Sequence, residues 1–131
     1  MALIDLNEQA VTDINRVICQ ASGEPHGPSG VGSIASCLHS TFYPGGAPYE
    51  HGGVAGIAGA MTFYIAKAHA FINGNKRTAS AAALGFMKLN GYRLSYPGTA
   101  LGEVVVAAVN NALTLEELKI WFDVHKETLS R

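Results

Sequence analysis

The chain has 131 residues, a formal net charge of −1 and two cysteines. This length predicts one domain, 1–131, able to bury roughly two-thirds of its unfolded surface without staples. The near-neutral charge excludes a global field that would draw the chain onto nucleic acid or an anionic membrane. Cys19 and Cys37 are too few for a disulfide framework and lack the paired spacing of a zinc site. Buried reduced thiols are expected instead, which suits a cytoplasmic protein.

At the N-terminus, "MALIDLNEQA" places Asp5 and Glu8 where a secretory signal needs basic residues and a longer apolar run. "DLNE" matches a capping box and predicts a first helix from about Asp5 to Gly23, with Leu6, Ala10, Ile14, Val17 and Ile18 as its apolar face. "GEPHGPSG" reads as a loop. A short helix over about 31–40 would bury Val31, Ile34, Ala35 and Leu38. Ten of the 15 glycines and four of the five prolines fall between Gly23 and Gly59, so this region cannot be uniformly regular. "FYPGGAPYEHGG" holds its strongest breakers, with Tyr43 and Tyr49 read equally as anchors of the loop or as contacts to a partner peptide.

A third helix is expected from Val54 to Ala68, with Val54, Ile57, Met61 and Ile65 inward and Gly56, Gly59 and Ala60 allowing another helix close approach. The uncharged stretch from Gly52 to Ala66 falls short of the ~20 residues a membrane span requires. A fourth helix should start near Asn75, present Ala79, Ala82, Ala83, Phe86 and Leu89 to the core, and stop at Gly91. The β-branched run "EVVVAAV" has strand propensity, but its flanks predict a fifth helix over about 101–111. "TLEE" at Thr114 is a second capping box, opening a last helix that buries Leu115, Leu118, Trp121 and Phe122. The fold class expected is all-α, a bundle of about six helices with one irregular loop.

Between the third and fourth helices lies "HAFINGNKRTA", residues 69–79. A helix start there offers unpaired backbone N–H groups and the positive end of a dipole. Gly74 supplies a tight turn, Asn75 a cap, and Lys76 with Arg77 two cations in the first turn, where cations oppose the dipole. An anion resting on that turn resolves the conflict, so Gly74, Asn75, Lys76 and Arg77 read as a phosphate cradle. His69, ending the preceding helix, is placed to accept a hydroxyl proton near neutral pH. Phe71 reads as a core plug that holds the loop. His26, His39, His51 and His125 are dispersed and show no metal-ligand spacing; His51 and Lys67 read as solvated.

"HAFINGNKRTA" closely resembles the central motif of the Fic/Doc family, HPFx(D/E)GN(G/K)R. The order of helices and "LGFMKLNGYRL" resemble the Doc (death-on-curing) branch. The resemblance implies a compact all-helical Fic fold with an extended flap, here "YPGGAPYEHGG", that aligns a target segment. It implies that His69 is the catalytic base, that Gly74, Asn75, Lys76 and Arg77 bind nucleotide phosphates, and that Asn73 stands at the family's acidic, Mg²⁺-holding position. A neutral amide is a weaker ligand for a hard cation, which puts metal use in question. Lys76 at the motif's variable position, and Ser80 where AMP-transferring members carry a second arginine, favour Doc.

The Doc branch implies ATP as substrate, transfer of its terminal phosphate to a Ser/Thr hydroxyl of a target such as a translation elongation factor, and growth arrest. No (S/T)xxxE(G/N) self-inhibitory segment is found in the sequence, so an antitoxin in trans is the expectation. No direct nucleic-acid or membrane partner is expected. An AMP-transferring enzyme, and a non-catalytic module that binds nucleotide or a partner peptide, are the alternatives.

Overall fold

The computed structural model describes residues 3–43, 51–95 and 98–129. Among them run α1 (Glu8–Ser22), α2 (Ile34–Phe42), α3 (Val54–Ala68), α4 (Asn75–Leu89), β1 (Tyr92–Leu94), α5 (Gly98–Val109), α6 (Leu115–His125) and β2 (Lys126–Thr128). The architecture is all-α, as the sequence predicts. The addition is a two-stranded antiparallel ribbon in which Arg93 faces Glu127. Of the expected flap, residues 44–50, including Tyr49, lie outside the described residues.

The central element is α3. Every residue from Val54 to Thr62 is buried, so this helix is apolar all round and surrounded by protein. It packs against α2, α4, α5 and α6. Small side chains make that possible. A Cβ added at Gly59 would lie 2.8 Å from the Cα of Lys119, so α6 rests directly on the α3 backbone. Gly59→Ala must push the two helices apart and is expected to cost about 1–3 kcal/mol. The check is the urea midpoint, which falls with no change in the m-value; an unchanged midpoint would mean α6 moves freely.

Other boundaries differ from the sequence reading. The first helix starts at Glu8, capped by Asn7, whose side chain accepts from the Ala10 N–H at 2.9 Å. Asp5 is therefore not its cap. The buried face of α1 is Val11, Asn15 and Cys19, with Val17 exposed. This face is rotated from the predicted one because Asn15, a polar residue, belongs to the interior. Val31 and Ala35 are exposed rather than core, since α2 begins only at Ile34 and turns Cys37 and Leu38 inward. Leu89 is half-exposed, at the open end of α4. The Thr114–Glu117 capping box is present in full, and Trp121 is half-buried beside the fully buried Phe122.

His51 is buried, with its Nε2 3.0 Å from the Ser40 carbonyl, so it is not a solvated loop residue. Lys67 is also engaged: its Nζ donates to Asn111 and to the Ala108 carbonyl at the end of α5. Both cysteines are free and buried, and burial pushes the Cys37 thiol pKa up, as expected of an unreactive structural thiol.

Candidate functional site

His69 follows the last turn of α3 with φ of 52°, a left-handed cap conformation. Its imidazole is exposed, and among the described residues nothing hydrogen-bonds it. The ring is therefore available to a substrate.

Five residues later Gly74 caps α4 with φ of 74° and no side-chain cap bond. The first N–H groups of α4 consequently lack an intrahelical partner, and Thr78 is the residue whose N–H returns to the Gly74 carbonyl. A side chain at Gly74 would be strained by this φ and would approach Cys19 Sγ to 3.2 Å and Asn15 Nδ2 to 3.4 Å.

Asn75 does not act as the cap that the sequence suggested. Its amide clamps the preceding turn, accepting from the Phe71 N–H at 3.0 Å and donating to the Phe71 carbonyl at 2.9 Å. Phe71 itself is 5 % exposed, so the clamp ties the loop to a plug seated in the core.

Beneath the loop, Asn15 of α1 donates to the Asn73 carbonyl at 2.8 Å and to Thr78 Oγ1 at 3.1 Å, while the Cys19 thiol reaches the same carbonyl at 3.6 Å. Across its outer edge runs residues 22–29, a strap antiparallel to the motif. Ser29 N–H donates to the Ala70 carbonyl, Ile72 N–H to the Gly27 carbonyl, and Ser29 Oγ to the His69 carbonyl. Asn73 Nδ2 donates to the Pro25 carbonyl at 2.9 Å. At the strap's start, Arg77 meets Ser22 and Glu24.

This scaffolding brings His69, Asn73, Gly74, Asn75, Lys76 and Arg77 to one cleft of about 320 Å³, floored by Ala66 and Val109. All six residues singled out in the sequence line it. Roomier hollows, of about 580, 620, 550 and 330 Å³, lie elsewhere on the molecule. The one of about 330 Å³ holds His51, whose ring is already bonded to the Ser40 carbonyl, and Lys67, which lines the first, is already committed to Asn111 and the end of α5. Size therefore singles out no hollow; what distinguishes this cleft is that an imidazole, two cations and the first N–H groups of α4 meet in it.

Asn15, Ser22 and Glu24 carry no local signal in the sequence that marks them as part of this site. The Glu24 carboxyl is held below its ordinary value of 4.5, first by the Ser22 hydroxyl bond and then by Arg77. A depressed carboxyl stabilises the fold above its unfolded value and loses that contribution as pH falls through the lowered one. The strap is thus loosened by acid, not by base.

The cleft lining contains no carboxylate, and among the described residues no cluster of histidine, cysteine and carboxylate groups is fit to hold a metal ion. This donor set does not fit a resident Mg²⁺, which calls for one or two carboxylates beside substrate phosphates. The Asn73 amide nitrogen serves the strap. Asn73→Asp would remove that donor and set a charge against the Pro25 carbonyl, at an expected cost of about 1–2 kcal/mol. Thermal unfolding at neutral pH checks this; an unchanged or raised midpoint would show that the Pro25 bond contributes nothing.

The family model described as Fic/DOC matches residues 5–87, the span from before α1 almost to the end of α4. The chain belongs to the Fic/DOC family. The match takes in the strap, His69 and the α4 N-terminus, and members of this family are generally transferases that use a nucleotide. No curated protein matches the chain. Among the described residues no helix is long and apolar enough to cross a membrane.

Proposed function

We propose that this Fic/DOC protein transfers the γ-phosphate of ATP to a Ser/Thr hydroxyl of a target protein. The observation that carries the proposal is the cleft itself, where an unencumbered His69 faces the open N-terminus of α4 and its two cations. In the proposed step the target oxygen attacks the γ-phosphorus, the bond to the β,γ-bridging oxygen breaks, ADP leaves, and His69 takes the hydroxyl proton. Lys76, Arg77 and the N–H groups of α4 bind the phosphates and take up charge as it shifts toward the leaving group. Gly74 lets the phosphates approach the backbone. Any Mg²⁺ arrives with ATP as part of the substrate.

Lys76 and Ser80 support phosphate rather than AMP transfer by resemblance to the Doc branch. A translation elongation factor as target, growth arrest as consequence, an antitoxin in trans as control and a cytoplasmic setting belong to the same proposal. The absence of a carboxylate from the cleft lining favours a second reading, a module that binds nucleotide without turnover.

The test is a transfer assay with purified protein, Mg²⁺ and bacterial lysate, run with ATP labelled on the γ- or the α-phosphate. Label passing to a lysate protein from the γ position alone supports the proposal. Transfer from the α position means AMP transfer, and binding without transfer from either means the module.

A further inference from the structure

Arg77 does two things at once: it lines the cleft and it reaches the strap. Its Nη2 donates to Glu24 Oε1 at 2.5 Å and its Nη1 to Ser22 Oγ at 3.2 Å. The Ser22 hydroxyl has one proton to donate and lies 2.5 Å from the same Glu24 oxygen, closer than the Ile18 and Cys19 carbonyls at 3.2 Å. The remaining N–H groups of the guanidinium are left for a ligand.

Glu24 is a fixed support. Its own N–H donates to the Cys19 carbonyl at 2.9 Å, closing α1 through the left-handed Gly23. On its other side, the Pro25 carbonyl is held by Asn73. The carboxylate therefore springs from backbone pinned at both ends. Arg77, by contrast, stands in the first turn of α4 on a long side chain with large rotamer freedom.

We infer that Glu24, seated by Ser22, is a positioning residue for Arg77, setting its guanidinium fork toward the phosphates of the incoming nucleotide. This rests on the reading of the cleft as a nucleotide-phosphate site. An arginine ordered before the ligand arrives loses less entropy when the ligand binds. Against this stands the repulsion between a carboxylate and a polyanion. The pair is 47 % and 37 % exposed, so solvent and salt screen that repulsion heavily. Orientation outweighs charge.

The two effects have opposite signs, which makes the inference easy to overturn. Affinity is measured by calorimetry with ATP and, separately, with inorganic triphosphate. Glu24→Ala is expected to weaken both by roughly 2- to 10-fold although it removes a negative charge. Glu24→Gln, which keeps an oxygen for Ser22 and Arg77, is expected to retain most of the affinity. In an Arg77→Ala background, Glu24→Ala should change nothing further, a coupling that a merely structural role for the strap would not produce.

Tighter binding by Glu24→Ala would overturn the inference and make Glu24 a competitor for Arg77. Equal affinity, or the same loss with and without Arg77, would also overturn it while leaving the nucleotide site intact. No binding of ATP or triphosphate by the unchanged chain would sink the nucleotide reading and this inference together. Should Glu24→Ala fail to fold, Glu24→Leu, which removes both oxygens and keeps the bulk, carries the test, and a roughly 2- to 10-fold weakening that vanishes in the Arg77→Ala background is then required.

Discussion

His69→Ala is expected to lower transfer by about 10²- to 10⁴-fold, the range that general-base catalysis supplies, while ATP affinity stays within about twofold. The separation follows from position. The imidazole is exposed and unbonded among the described residues, so its removal breaks no scaffold contact. The cradle lies five to eight residues further on and is held by Asn15, Asn75 and the strap, none of which uses the His69 ring. His69→Gly sharpens the experiment, because glycine accepts a φ of 52° without strain. Both variants should fold, and both should bind ATP without transferring phosphate. Equal loss of binding and transfer would remove His69 from the role of base and make it a ligand for the nucleotide.

Asn15→Ala is expected to be the most damaging polar change outside the motif. Asn15 is 1 % exposed and meets both the Asn73 carbonyl and Thr78 Oγ1. Alanine would orphan part-buried acceptors and open a small cavity under the turn, costing about 2–4 kcal/mol. Function should suffer beyond stability. The turn from Asn73 to Gly74 sets where the α4 N–H groups point, so ATP binding should weaken at temperatures where the variant is still folded. Thermal unfolding and calorimetry on the same preparation check both. A folded variant with full ATP affinity would show that Asn75 and the strap alone fix the turn.

The same residue shows where the sequence stopped being legible. The interior period of α1 passes through Val11, Asn15 and Cys19. A count of apolar positions skips an asparagine and chooses the neighbouring face. What makes Asn15 an interior residue is a carbonyl 58 positions away, and no local pattern encodes that. The strap was illegible for a related reason. Its pairing with the motif runs through main-chain bonds, from Gly27 and Ser29 to Ile72 and Ala70, and through single side chains 40 or more positions away, and a glycine- and proline-rich stretch carries no period to reveal either. Three-residue strands such as Tyr92–Leu94 and Lys126–Thr128 fall below any alternation signal.

Other features could be read directly. The bounds of α3 follow from a largely apolar run between Gly53 and His69, broken only by Thr62 and Lys67. The α6 start follows from Thr114 and Glu117, and the close approach at Gly59 from a missing side chain. The cleft residues were legible because their chemistry is dense over nine positions and because helix ends place such residues together. Asn75 shows the limit of that reasoning: the residue was found, but its bond partner is Phe71 rather than the helix it begins.

The proposed transfer requires the turn at the start of α4 to hold nucleotide phosphates. The most direct measurement is a titration of the isotope-labelled protein with ATP, following backbone amide resonances by NMR. The largest shifts are expected on Gly74, Asn75, Lys76 and Arg77, and inorganic triphosphate is expected to move the same amides. Shifts confined instead to the groove lined by Tyr64 and Lys67, or no shifts with ATP in large excess, would contradict that role of the turn.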